Sequence, residues 1–283
     1  MSYYEFIIKI ADPFRDTLIQ RLTDAGCLGV IEQDETITAY FPETVDIGTI
    51  TNDLSLLKAL FDRSDKVQDL SFSHTLIPEK DWNEAWKKGF TPLDVGERFT
   101  ILPPWEKRRE ARINLIIDPG MAFGTGHHET TRSSLVLMEK YAVMCAKERF
   151  LDLGAGTGLL AIAASRLGYR HIVAVDTDPL AIEATRKNVE LNQVTNVDIR
   201  EGSVFEAPGT FDCIAANIIS GVLVQLAPAL PSHLKPGGIA ILSGILRGQE
   251  NEVIKATTQA GLKLLEQYRD GKWVSLVLIS MRF

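Results

Sequence analysis

A chain of 283 residues is long enough for one large domain or two unequal ones, each with a substantial buried core. A formal net charge of −7 argues against a broad nucleic-acid-binding surface and suits a basic protein partner. Cys27, Cys145 and Cys213 are scattered, odd in number and lack metal-ligand spacing, which excludes a disulfide scaffold and points to a reducing compartment. No apolar run approaches membrane-spanning length, and the N-terminus alternates like a strand without a basic leader, so a cytoplasmic location is expected.

Taken in chain order, Tyr3–Ile10 alternates as a strand, and Asp12-Pro13 starts a helix that runs to about Ala25 and ends at Gly26. Gly29–Gln33 and Thr36–Phe41 form a hairpin turning at Asp34-Glu35. Asp53–Phe61 is helical, with Leu54, Leu57, Leu60 and Phe61 on one face, and Asp69–Ile77 closes the sheet. This order predicts a small ferredoxin-like α+β domain, a scaffold that hosts many binding functions and fixes none. Its boundary falls in the soft stretch between Arg63 and Glu79, and we place the domain at residues 1–65. Residues 66–110 then form a connector with Asp81-Trp82, Trp86 and Phe90 on a short helix. Such aromatics pack a core or an interdomain seam; the functional alternative is a wall of the substrate entrance.

Residues 111–283 read as a doubly wound α/β domain. Ile113–Ile117 is a strand leading into Asp118-Pro119-Gly120 and a polar loop, Phe123–His128, before a helix from about Glu129 to Tyr141. Helix Leu159–Leu167, strand His171–Asp176 and helix Asp178–Leu191 follow, with Pro179 in the first turn of the last. Strands Val197–Arg200 and Asp212–Asn217, helix Ser220–Leu230 and strand Ile239–Ser243 come next. Strands separated by helices predict a parallel, Rossmann-like sheet with right-handed crossovers. Lys263–Tyr268 and Trp273–Met281, around Asp270-Gly271, predict a terminal antiparallel hairpin.

The chemistry concentrates at Leu151–Gly158, LDLGAGTG, between an apolar strand and an apolar helix, with Asp176 at the tip of the next strand. Such a turn lies at the carboxyl edge of a parallel sheet, where backbone approaches a nucleotide-like ligand closely. A dinucleotide site wants G-x-G-x-x-G; here Gly154, Gly156 and Gly158 give G-x-G-x-G, and Leu159 stands at the third dinucleotide glycine. Asp152 adds a negative charge that suits a sulfonium better than a diphosphate, and Asp176 is able to accept from ribose hydroxyls. The plainer reading is a turn that only lets helix and strand pack closely. Together the features resemble the class I S-adenosylmethionine-dependent methyltransferases; a dinucleotide-dependent oxidoreductase is the rival class.

Three further segments are more specific: Asp118-Pro119-Gly120-Met121-Ala122-Phe123-Gly124-Thr125-Gly126 ahead of His128 and Thr130-Thr131, Asp81-Trp82…Trp86-Lys87…Phe90…Pro92, and Ala216-Asn217-Ile218. With these the chain resembles the PrmA family, methyltransferases of ribosomal protein L11, over nearly its whole length. The resemblance implies that Thr131, Gly154, Asp176 and Asn217 bind S-adenosylmethionine and that Phe123 and Gly124 lie over it. The cofactor-binding set is completed from the residues themselves by Asp152 and Gly156. The resemblance also implies that the N-terminal domain grips the protein substrate while lysine side chains and an N-terminal amine are methylated. His127 stands where the family commonly has threonine, and Glu129 where it has proline; a glutamate in a first helical turn complements the dipole.

Asn217 is the expected catalytic residue, a neutral acceptor that aligns the amine; the plain alternative is a strand-end turn residue. Enzymes acting on planar nitrogens typically follow this residue with Pro-Pro and an aromatic, whereas Ile218-Ile219 offers no stacking platform and favours an aliphatic amine. His127, His128 and Glu129 are consecutive and converge poorly on one ion, so no metal is expected. His128 reads as a hydrogen bonder that orders its loop rather than as a general base. The expected function is thus methylation of ribosomal protein L11 by a monomeric enzyme without direct nucleic-acid recognition or membrane association. Its alternatives are methylation of another protein lysine or a small amine, and a non-catalytic module that binds the cofactor only for stability.

Overall fold

The structure is a computed structural model that describes residues 2–10, 15–33, 36–61, 70–77, 90–118, 124–126 and 128–281. The sequence readings at Asp12-Pro13, Asp34-Glu35, the aromatic helix with Asp81, Trp82 and Trp86, Pro119–Phe123 and His127 lie outside the described residues. Phe90, expected on that helix, is in irregular chain. Contacts divide the chain into two compact units that part between Gly89 and Phe90.

The first unit runs β1 (Tyr3–Lys9), α1 (Arg15–Asp24), β2 (Gly29–Gln33), β3 (Thr36–Pro42), α2 (Ile47–Phe61) and β4 (Ser71–Ile77). Its sheet order, β2-β3-β1-β4, with β1 antiparallel to both β3 and β4, is the ferredoxin-like arrangement. Alternation in β1 and β3 turns Phe6, Ile8, Ile37, Ala39 and Phe41 inward, against Leu18 and Leu22 of α1 and Ile50 and Leu54 of α2. Each large apolar side chain buried here contributes about 1.5–3 kcal/mol. Helix α2 starts six residues before the expected Asp53. Asp46 caps it, accepting from the Gly48 amide at 3.0 Å and the Thr49 hydroxyl at 2.7 Å. Gly48, Thr49 and Thr51 are weak helix formers, and the cap overrides them. Because β4 pairs with β1, this unit extends past residue 65, and the stretch 66–110 is shared between the two units.

The second unit opens with β5 (Leu93–Val95), β6 (Phe99–Leu102) and β7 (Ile113–Ile116). The strand at Ile113, expected to begin the doubly wound sheet, instead pairs in parallel with β6 in a separate three-stranded sheet. Periodicity locates a strand but does not name its partner. The remaining elements are α3 (Glu129–Tyr141), β8 (Arg149–Leu153), α4 (Leu159–Arg166), β9 (His171–Asp176), α5 (Pro179–Leu191) and β10 (Val197–Glu201). They continue with β11 (Phe211–Asn217), α6 (Ser220–Leu226), α7 (Leu230–His233), β12 (Leu234–Leu246), α8 (Glu250–Gln259), β13 (Leu262–Asp270) and β14 (Trp273–Ser280). The helix expected over Ser220–Leu230 is broken in two beside Pro228, whose ring and missing N–H end a helix.

The seven strands lie in the order β10-β9-β8-β11-β12-β14-β13, parallel except where β14 runs antiparallel to β12 and β13. Both faces are covered. Phe150, Ile172, Ala174 and Ala215 pack with Leu135 of α3 and Leu160 and Ile162 of α4. Leu151, Leu153, Val173 and Val175 pack with Leu223 of α6, Leu230 of α7 and Val253 of α8. Cys213 is buried and Cys27 and Cys145 are half-buried, all as free thiols. Among the described residues no helix is long and apolar enough to cross a membrane.

Candidate active site

Strand order reverses between β8 and β11, so their carboxyl ends open into one crevice, the place where ligands bind in open α/β sheets. The turn after β8 is pinned by the Gly154 and Ala155 amides, which both donate to the Val175 carbonyl, at 2.9 and 3.0 Å. Gly154 has φ +78°, and a Cβ there would run into the Ile218 side chain; no other residue fits this approach. At the tip of β9, Asp176 accepts from the Gly156 amide at 2.9 Å and the Asp178 amide at 3.0 Å, one bond per oxygen. A carboxylate has about four acceptor positions, so two remain for a diol.

A cleft of about 480 Å³ runs past Gly154, Gly156 and Asp176 to Asn217, Ile218, Ile219, Gly244 and Trp273. Thr177, Gly202 and Ser203 line it beside Asp176, and Val222 and Leu226 extend its apolar wall. Asn217, at the end of β11, donates from Nδ2 to the Thr131 hydroxyl at 3.1 Å. Its Oδ1 is buried and has no hydrogen-bond partner among the described residues. Gly124 belongs to the same corner: its carbonyl accepts from Thr157 Oγ1 at 2.7 Å, and it shares a narrow cavity with Thr131, Gly154 and Asn217. Thr131, Gly154, Gly156, Asp176, Asn217 and Gly124 are therefore brought together. Phe123 is outside the described residues.

Asp152 departs from its expected place. It is completely buried on the α4 side of β8, where Oδ2 accepts from the Ala161 amide at 2.9 Å, and it is not among the residues lining the cleft. Burial, opposed by that amide and reinforced by the charge of Asp176, pushes its carboxyl up to about 8. At neutral pH the residue is a neutral acid, not the negative charge read from the sequence.

His128 is the N-cap of α3: its Nδ1 accepts from the Thr130 amide at 3.3 Å and sits 2.7 Å from the Thr130 hydroxyl. Its ring meets Trp273 edge-on at 4.8 Å. Burial holds its pKa below the ordinary value, against the pull of Glu129, with Lys272 and Arg132 adding to the lowering. Among the described residues no three His, Cys, Asp or Glu side chains gather to hold a metal. Thr157, Gly244 and Trp273 were not picked out as site residues from the sequence. Thr157 lies inside the glycine turn and was open to detection; Gly244 and Trp273 reach the cleft only through the pairing of β12 with β14.

A parallel sheet of this order, with a glycine turn, a free pair of carboxylate lone pairs and an unpaired amide oxygen around one cleft, defines a class I methyltransferase, whose cofactor is S-adenosylmethionine. The family described as Ribosomal protein L11 methyltransferase (PrmA) matches residues 3–280. A Ribosomal protein L11 methyltransferase of Pelobacter propionicus is 41% identical over 265 residues, covering 90% of this chain and 84% of its own. One of Ruminiclostridium cellulolyticum is 31% identical, covering 98% of each chain. The crystal structure of a ribosomal protein L11 methylase from Lactobacillus delbrueckii subsp. bulgaricus superimposes with a TM-score of 0.63 at 30% identity, covering 67% of this chain and 98% of that one. The chain belongs to the ribosomal protein L11 methyltransferase family.

Proposed function

We propose that this protein transfers methyl groups from S-adenosylmethionine to amine nitrogens of ribosomal protein L11, on lysine side chains and at the N-terminus. The observation that carries the reading is the Asn217 amide: a buried, unpaired carbonyl oxygen at the switch point, with its nitrogen held by Thr131. An orphaned buried acceptor calls for an N–H donor, which an amine supplies.

The residues fit the cofactor. Asp176 keeps two acceptor positions for the ribose diol, Gly154 and Gly156 let the backbone approach, and Gly124 and Thr131 close the opposite side. When bound, S-adenosylmethionine supplies an electrophilic methyl group on a sulfonium. The protein's task is then alignment, holding the acceptor nitrogen in line with that methyl. Lysine has a pKa near 10.4, so losing its proton at pH 7 costs roughly 4.6 kcal/mol. Ile218, Ile219, Val222 and Leu226 give the cleft an apolar wall that disfavours the charged amine. No aromatic follows Asn217 to stack on a planar base or amide. The first unit is the substrate-gripping element in this reading, and the location is cytoplasmic. His128, fixed as a cap, serves structure rather than proton transfer.

The test is intact-mass spectrometry of unmodified ribosomal protein L11 after incubation with the enzyme and S-adenosylmethionine. Methyl-sized increments that vanish with Asp176→Ala are expected. Cofactor binding by calorimetry without any increment would sink the substrate assignment; binding of NAD in its place would sink the class.

A further inference from the structure

Behind the cleft, three serines are buried where alanine would pack without any polar cost. Ser243 of β12 is fully buried and Ser275 of β14 is 1% exposed; their oxygens lie 2.8 Å apart. Ser243 Oγ donates to the Thr130 carbonyl at 3.1 Å, and Ser134 donates to the same carbonyl at 2.9 Å. Since Ser243 has one proton and spends it on Thr130, Ser275 is the donor to Ser243. The bonds run one way, from the terminal hairpin to the first turn of α3.

That turn carries the site. Thr131, next to the anchored carbonyl, holds the Asn217 amide. Ser243 is also the register partner of Asn217 across β11 and β12, and it precedes Gly244 in the cleft wall. On β14, Ser275 is two residues from Trp273, whose ring meets His128, the cap of the same turn. The chain of contacts thus closes on itself: Ser275, Ser243, Thr130, His128 and Trp273.

We propose that Ser243 and Ser275 are positioning residues that fix the Asn217 amide from behind the cleft, an inference that rests on the methyl-transfer reading above. Buried hydroxyls that all find partners hold one arrangement, and small displacements at an aligned site are costly in rate.

The test is Ser243→Ala, with Ser275→Ala as a second variant. At saturating cofactor the single-turnover rate of methyl transfer to ribosomal protein L11 falls about tenfold in Ser243→Ala, with the KM for S-adenosylmethionine within about twofold. Ser275→Ala, which leaves the bond to Thr130 in place, loses less. In an Asn217→Ala background Ser243→Ala has no further effect. The side-chain amide signal of Asn217 in the NMR spectrum of the cofactor-free protein moves in both serine variants. An unmoved amide signal, or a rate loss just as large without Asn217, overturns the proposal. Absence of transfer by the wild-type enzyme would instead count against the methyl-transfer reading, and the amide signal alone would then decide the serine relay.

Discussion

Asp152 shows how burial changes what a residue is for. Two carboxylates stand at the edge of one sheet, yet Asp176 is held by two amides and faces the cleft, whereas Asp152 is fully buried with a single amide. Its carboxyl, at about 8 in the folded protein, lies far above the usual 3.8 of an unfolded chain. Between those two values the folded state keeps a proton that the unfolded state releases. Its contribution is therefore fully present below about pH 3.8 and is lost as pH rises through about 8. Asp152→Asn keeps the acceptor for Ala161 and abolishes the titration. The variant should gain stability over wild type on going from pH 5 to pH 8, by on the order of a few kcal/mol. Scanning calorimetry at the two pH values checks this; an identical difference in Tm at both would contradict the burial argument.

Among the elements, β12 carries a device that no local pattern announces. The expected strand Ile239–Ser243 extends to Leu246 across an irregularity at Gly244, where φ is +83° and a Cβ would strike the Ile218 carbonyl. Ile218 is thereby clasped between Gly154 and Gly244, which fixes the residue next to Asn217. Gly244→Ala should cost about 1–3 kcal/mol and lower the methyl-transfer rate together with Tm. An alanine variant with unchanged Tm and rate would show that the clasp is dispensable. This clasp also marks where sequence reading stops. Gly154, Asp176 and Asn217 are legible because each ends an apolar strand at a turn; α8 and the strands β5 and β6, by contrast, have no counterpart in the sequence reading. Gly244, Trp273 and the partner of the Ile113 strand depend on which strands pair. Asp152 was misplaced because every residue from Phe150 to Leu153 is buried, which hides the face each one takes. Its parity with Phe150, on the side of α3 and α4, was the available clue.

At the scale of the molecule, the two units have separate cores and separate sheets, so the proposed division of recognition from chemistry is open to test by truncation. The cleft and the narrow cavity beside it, which between them are lined by every described residue of the expected cofactor set except the buried Asp152, are formed by described residues of the 90–283 unit. Removal of residues 1–89 should leave S-adenosylmethionine binding by calorimetry within a few-fold of the intact chain and abolish methylation of ribosomal protein L11. Methylation at the intact rate by the truncated protein would refute substrate gripping by the first unit.

The central claim is that an unpaired amide oxygen at the switch point aligns an aliphatic amine for methyl transfer. Its most direct test is the single-turnover rate of Asn217→Ala on ribosomal protein L11 at saturating S-adenosylmethionine. The account predicts a loss of roughly a hundredfold or more in rate, the scale seen when one positioned hydrogen-bond group is removed from an active site. A rate close to that of the intact enzyme, with the cofactor bound, would contradict it.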